Sequence, residues 1–130
     1  MRYSQLTWEH FSHAGSAGVL AGDNVARAAA GSAAEGTWVQ FDIRAKRRGF
    51  AAALIIEARF QAFGCPHTIA VADWLAGRAA GRSAEPRLPE PVGALHQLFG
   101  MPVEKLGRLF VVEDAWVGAV QALLKKQENA

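Results

Sequence analysis

Cysteine is nearly absent from this sequence of 130 residues, in which Cys65 is the only one. One cysteine cannot close a disulfide within the chain, and it cannot supply an all-cysteine metal site. Long apolar runs are absent too. A run such as Ala51–Ile56 is far shorter than the roughly 20 residues that span a bilayer, so we expect no membrane association. Residues Met1–Gln5 lack the apolar core of a secretion signal, and we therefore expect a cytoplasmic protein.

The sequence also has little excess charge of one sign. Fourteen Lys and Arg residues face twelve Asp and Glu residues, which gives a formal net charge of +2. Basic residues cluster only at Arg44–Arg48 and Lys125–Lys126. A protein that binds nucleic acid normally presents a broader basic face with aromatic residues between the charges. We therefore predict no nucleic-acid partner.

The composition is that of a folded domain. Hydrophobic residues make up 51% of the chain and charged residues 20%, which excludes a disordered protein. A chain of this length can bury enough apolar surface to fold without a disulfide or a structural metal. We expect a single domain over residues 1–130.

Two segments in the middle of the sequence have the alternation that is typical of β-strands. In Trp38–Ala45, one face carries the apolar side chains of Val39, Phe41, Ile43 and Ala45. In Ala52–Phe63, we predict that one face carries Leu54, Ile56, Ala58, Phe60 and Ala62. A turn at Lys46–Gly49 would join the two as antiparallel strands, and a weaker strand signal precedes them at Asn24–Ala30.

Helical patterns lie on both sides of these strands. Residues 3–13 are predicted to form a short helix, for which Ser4 is a suitable N-cap. After Thr68 the apolar period lengthens to that of a helix, and further helices are predicted at Val92–Phe99 and over residues 103–126. This order predicts an α+β fold, a small antiparallel three-stranded sheet with helices packed on one face.

Cys65 occupies the most informative position in the sequence. The second strand is expected to end at Gly64, the chain turns at Cys65-Pro66, and a helix begins near His67 or Thr68. A thiol at the start of a helix lies near the partial positive charge of the N-terminus, which favours the thiolate. Such a thiol suits metal ligation, persulfide carriage or nucleophilic attack. The alternative is a buried structural cysteine.

Other polar side chains give weaker signals. His67 is either a metal ligand or an activator of Cys65, or else an exposed histidine at a helix start. His10 is interpreted as structural, and Asp73 has the spacing of a helix-surface residue. Trp38, on the polar face of its strand, is a candidate for contact with a partner. Nothing indicates a carboxylate pair, an oxyanion hole or a phosphate-binding loop, so we predict that the protein is not an enzyme.

Short motifs follow one another in a characteristic order along nearly the whole chain. They are Tyr3-Ser4, His10-Phe11, Gly18, Gly31–Gly36, Ile56–Phe60, Phe63–Cys65, Ile69-Ala70 and Glu113–Ala115. In their order and spacing these motifs resemble the NifU/IscU-like iron–sulfur cluster assembly scaffolds. The resemblance implies a fold like that of IscU and of the N-terminal domain of NifU.

The resemblance also locates departures from the family pattern. Members of the family bind their cluster through three cysteines, with an aspartate near the first and a histidine before the third. Cys65 is aligned with the second cysteine. The first cysteine and its aspartate are replaced by Glu35 and Thr37, and the histidine and third cysteine are replaced by Gly107 and Arg108.

A second family motif is reduced as well. Many members carry the sequence leucine-proline-proline-valine-lysine, which a chaperone recognises. This motif is aligned with Met101–Lys105, where only Pro102 and Lys105 remain.

These replacements imply a degenerate scaffold. By resemblance the site would hold a 2Fe–2S cluster, iron or zinc, but Cys65 with Glu35 and His67 is a poor site for a soft metal. Arg108 would repel a metal ion and could pair instead with Glu35 or with the Cys65 thiolate, and of these we expect the salt bridge with Glu35. We therefore expect that the monomer holds no cofactor stably.

The function expected from the resemblance is that of a binding, regulatory or sulfur-accepting module in iron–sulfur cluster biogenesis. Its partners would be a cysteine desulfurase or other iron–sulfur assembly proteins, and Cys65 would accept sulfur as a persulfide. Two alternatives stay open. Two chains of a homodimer could share a metal or 2Fe–2S cluster between their Cys65 side chains, or Cys65 could be the nucleophile of a thiol enzyme.

Overall fold

The computed structural model describes residues 3–48 and 51–128. The strands are β1 (Val25–Ser32), β2 (Thr37–Arg48) and β3 (Ala51–Phe63), which form one antiparallel sheet in the order β1-β2-β3. The helices are α1 (Gln5–Ser12), α2 (Pro66–Arg78), α3 (Val92–Leu98) and α4 (Leu106–Glu128), with a 3-10 turn at Val103–Lys105. This arrangement confirms the predicted α+β fold class. None of the helices in these residues has the length and apolar character needed to cross a membrane.

The core lies between one face of the sheet and the helices. Helix α4 packs on β1 and β2, α2 packs on β3, and α1 packs on α2. Val39, Phe41 and Ile43 of β2 are fully buried, as their alternation predicts. The ring of Phe41 meets that of Trp116 in α4 almost at a right angle, with ring centroids 5.2 Å apart. This edge-to-face contact fixes α4 against the central strand.

A β-bulge in β3 changes the predicted face of the first half of that strand. Neighbouring residues of β2 pair with Ile55 and Glu57, so Ile56 is an extra residue without a partner in the ladder. An extra residue reverses the alternation on one side of the bulge. Ile55 is therefore buried, whereas Ile56 is 49% exposed. The prediction that Ile56 shares a face with Ala58 and Phe60 is wrong, although those two residues are buried.

Two loop segments cover the outer edge of β3. The N–H of Gly18 donates to the carbonyl of Phe60 at 2.8 Å, and the N–H of Phe60 donates to the carbonyl of Ser16 at 3.1 Å. Nearer the bulge, the N–H of Ile55 donates to the carbonyl of Arg82 at 2.9 Å. Covering an edge in this way satisfies its backbone groups and keeps another chain from adding a strand.

A buried carboxylate, Asp42 of β2, lies on the other face of the sheet. It accepts a hydrogen bond from the N–H of Leu20 at 2.9 Å, and one each from Nε and Nη2 of Arg27 at 2.8 Å. Burial raises the pKa of the Asp42 carboxyl, but the hydrogen bonds from Arg27 and Leu20 outweigh burial and leave the pKa below its usual range. The carboxylate thus ties the loop before β1 to the central strand.

Asp73 of α2 is also buried, so its predicted position on the helix surface is wrong. Its Oδ2 lies 2.7 Å from Nδ1 of His10, and its Oδ1 accepts a hydrogen bond from the N–H of Ser16 at 2.9 Å. Helix α1 and the loop after it cover this face of α2, which the pattern of α2 alone does not reveal. The contact agrees with a structural role for His10.

The connection between β2 and β3 differs from the predicted turn. Strand β2 continues through Arg48, so Lys46–Arg48 is extended. Gly49, the last residue of the predicted turn, lies outside the described residues.

We predict that Phe41→Ala destabilises the fold far more than Phe63→Ala. Phe41 is fully buried, and its removal should lower the free energy of unfolding by about 3–5 kcal/mol. Phe63 is 54% exposed, and its loss should cost less than about 1 kcal/mol. Urea denaturation of both variants measures the difference. Equal losses would mean that the Phe41–Trp116 contact does not anchor α4.

Candidate functional site

Cys65 is the N-cap residue of α2. Strand β3 ends at Phe63, and the chain enters the helix through Gly64, Cys65 and Pro66. A proline suits the first helical position because it lacks the N–H that would have no partner there. At Gly64 a Cβ atom would lie 3.2 Å from the Cβ of Thr68, so glycine allows the strand to approach the helix closely. These local features place a half-buried thiol at the start of α2.

Hydrogen-bond donors and a cation surround the Cys65 thiol. Its Sγ lies 3.6 Å from Oγ1 of Thr68. Burial raises the pKa of the Cys65 thiol, but the backbone and hydroxyl of Thr68, the backbone of His67 and the charge of Arg108 outweigh it. The pKa therefore lies below its ordinary value, as expected for a thiol at a helix N-terminus.

His67 is fully buried, which excludes the alternative of an exposed histidine at the helix start. Its ring packs edge-on against Tyr3, with ring centroids 4.8 Å apart. Neither ring nitrogen has a hydrogen-bond partner among the described residues. Burial lowers the pKa of His67, and the nearby charges of Lys105 and Arg108 lower it further. The ring is therefore neutral at neutral pH.

A pocket of about 230 Å³ lies between the β1–β2 turn and the start of α4. It is lined by Glu35, Thr37, Gly107, Arg108 and Val111. Four of these residues are the ones that the resemblance aligns with missing cluster ligands of the family. The fold thus brings them together from two segments that are about 70 residues apart in sequence.

Arg108 does not form the expected salt bridge with Glu35. Within the described residues no ion pair involves Arg108, and its buried Nε lacks a hydrogen-bond partner. Glu35 is exposed in the turn before β2, where its N–H is bonded to Oγ of Ser32 at 3.2 Å. The expectation is wrong because this turn holds Glu35 on the outer wall of the pocket.

The donor set does not fit a metal ion or an iron–sulfur cluster. In residues 3–48 and 51–128, no group of three or more His, Cys, Asp or Glu side chains is placed to hold a metal. Soft metals and clusters require several thiolates, and Cys65 is the only cysteine. The charges of Lys105 and Arg108 reach His67 and would oppose a bound cation.

The segment aligned with the chaperone motif adjoins this site. Pro102 is the N-cap of the 3-10 turn at Val103–Lys105, and Met101 is buried. Lys105 ends the turn next to α4. The segment therefore contributes a cation to the site, and recognition of Pro102 and Lys105 by a chaperone stays a prediction.

From the sequence, Phe63 was only a member of the motif Phe63–Cys65 and had no predicted role in partner contact. Trp38 pairs with Phe63 across β2 and β3, so both side chains lie on the same face of the sheet. Phe63 is exposed and precedes Cys65 by two residues. The signal was available, because an aromatic residue beside a candidate thiol and outside the buried face suggests an exposed contact.

The family of NifU-like N-terminal domains matches residues 2–130. The chain therefore belongs to this family of iron–sulfur cluster assembly scaffolds, as its motifs predicted.

Solved structures include two similar chains. The first is the N-terminal part of a nitrogen-fixing NifU-like protein from Brucella abortus, with 16% identity, a TM-score of 0.66, and coverage of 95% of this chain and 94% of that one. The second is a candidate iron–sulfur cluster assembly scaffold protein for the SUF system from Fervidobacterium islandicum AW-1, with 13% identity, a TM-score of 0.49, and coverage of 98% and 95%. The similarity to the Brucella structure supports the fold described above. No curated protein matches the sequence.

We predict that Cys65 is alkylated by iodoacetamide with a pH midpoint below the ordinary cysteine value of about 8.5. Arg108→Gln should raise this midpoint, because it removes a charge that favours the thiolate. Arg87→Gln is the matched control, because Arg87 is exposed and paired with Glu85. A wild-type midpoint equal to that of a free cysteine would contradict the prediction.

We predict that His67 weakens the fold in acid. Its pKa is lowered on folding, so below about pH 6.5 the unfolded chain binds a proton that the folded chain does not. The free energy of unfolding should then fall by up to about 1.4 kcal/mol per pH unit. His67→Gln should remove this slope in urea denaturation at several pH values. The exposed control His13→Gln should retain it, and an unchanged slope in His67→Gln would refute the assignment.

Proposed function

We propose that this protein is a degenerate scaffold of iron–sulfur cluster biogenesis, which accepts sulfane sulfur on Cys65 and assembles no 2Fe–2S cluster as a monomer. One observation carries the proposal. The single thiol of the chain has a lowered pKa, which the charge of Arg108 helps to lower, and the described part of the chain places no group of three or more metal-ligating side chains around it. Such a site favours an anionic sulfur over a metal cation.

The sulfur-accepting step uses groups that the chain itself provides. The Cys65 thiolate attacks the terminal sulfur of a persulfide on a donor protein. The sulfur–sulfur bond of the donor breaks, the donor cysteine leaves as a thiolate with the bonding electrons, and a persulfide forms on Cys65. No outside oxidant is needed. The N–H groups of His67 and Thr68 at the start of α2 stabilise the sulfur anion.

The proposed donor is a cysteine desulfurase, and other iron–sulfur assembly proteins would receive the sulfur. Support for a protein donor comes from the surroundings of the thiol. Phe63 is exposed two residues before Cys65, and Trp38 lies beside it in the sheet. Aromatic side chains in such positions are typical of protein contacts. In this role the chain is a carrier and not a catalyst.

The test is native mass spectrometry after anaerobic incubation with a cysteine desulfurase and L-cysteine, with and without ferrous iron. We expect Cys65 to gain the mass of one sulfur atom, and we expect Cys65→Ser to gain nothing. Ferrous iron should add no iron–sulfide mass to the monomer. A monomer that carries a stable cluster would overturn the proposal, and a dimer that carries one would favour the shared-site carrier.

A further inference from the structure

His67 and Arg108, which both influence the Cys65 thiol, have buried polar atoms without partners among the described residues. Nε of Arg108 and both ring nitrogens of His67 lack hydrogen bonds within the described residues. A buried polar group without a partner is costly, so such groups normally have a role in binding. His67 is neutral and still carries one ring N–H donor, and Arg108 carries a planar fork of donors. Most of the unpaired hydrogen-bonding atoms of this region are therefore donors.

The charges of the region also favour the binding of an anion. Lys105 and Arg108 both act on the His67 ring, and Arg108 also acts on the Cys65 thiol. The carboxylate on the pocket wall is that of Glu35, which is exposed to water and pairs with no cation among residues 3–48 and 51–128. Solvent screens an exposed carboxylate strongly. The inner part of the site is therefore cationic.

We infer that the pocket lined by Arg108, with the charge of Lys105 nearby, binds a small oxyanion that carries sulfane sulfur, of the thiosulfate class, and presents it to Cys65. This inference rests on the proposed function, because the same thiol accepts the sulfur. A guanidinium binds two oxygens of such an anion in a fork, and an ammonium adds a point charge. The pocket volume of about 230 Å³ accommodates an anion of this size.

The transfer of sulfur from thiosulfate to Cys65 needs no other reactant. The Cys65 thiolate attacks the sulfane sulfur of thiosulfate and forms a new sulfur–sulfur bond. The original sulfur–sulfur bond breaks, and sulfite leaves with its two electrons. A thiolate and a doubly charged thiosulfate give a persulfide anion and a doubly charged sulfite. Arg108 and Lys105 would lower the repulsion between the two reacting anions.

The experiment measures persulfide formation on the full-length chain with thiosulfate as the only sulfur donor, by intact mass. We expect the wild type to form a Cys65 persulfide and release sulfite. Arg108→Gln should slow the reaction at least about tenfold, because it removes a charge-assisted contact. Lys105→Gln should slow it less, because it removes only a charge near the pocket. Arg87→Gln should react like the wild type, because Arg87 pairs with Glu85 and does not line this pocket.

Two further measurements separate binding from other effects. Each rate is divided by the rate of alkylation with uncharged iodoacetamide, which corrects for a change in the thiolate fraction. Circular dichroism shows whether each variant is folded. If the corrected rates of Arg108→Gln and Lys105→Gln equal the wild-type rate, the proposal that this pocket binds the oxyanion (the anion pocket) is refuted.

The same variants are also tested with a cysteine desulfurase as the donor. If the wild type accepts sulfur from the desulfurase but not from thiosulfate, the proposed oxyanion binding in the pocket is refuted and the proposed function stands. Failure with both donors, while iodoacetamide still alkylates Cys65, refutes the proposed function and the anion pocket together.

Discussion

The packing of Trp116 against Phe41 positions the separate parts of the site. Strand β2 begins with Thr37 on the wall of the pocket, and α4 begins two residues before Arg108 on the opposite wall. Because the aromatic contact fixes α4 on β2, it sets the distance between those walls. Helix α2 packs on the neighbouring strand and adds Cys65 at its start. A scaffold built in this way can change the chemistry of its site while its core stays the same.

Electrostatics decides what such a site can hold. The fold is that of the family, but Arg108 and Lys105 make the surroundings of Cys65 cationic. Nearby cations stabilise a thiolate, whereas they destabilise a bound metal ion. In the proposed function the site therefore handles sulfur as an anion. The fully buried, neutral ring of His67 adds hydrogen-bonding capacity without adding charge.

Buried polar contacts hold the loops against the sheet and the helices. Asp42 binds Leu20 and Arg27, which joins the loop before β1 to the sheet. Asp73 contacts His10 and the N–H of Ser16, which joins α1 and its following loop to α2. The N-terminal segment is thereby held near the site. Tyr3 in that segment packs on the ring of His67 and shields it from water.

The α+β class, the buried face of β2, the thiol at a helix start and the family could all be predicted from the order of residues alone. These depend on neighbours along the chain or on residue order, as in the alternation of Val39, Phe41 and Ile43. The bulge at Ile56, the burial of His67 and Asp73, and the lack of an ion pair between Arg108 and Glu35 became evident only in the folded chain. Burial and pairing depend on which distant segment lies over a residue, and a local pattern carries no information about that segment.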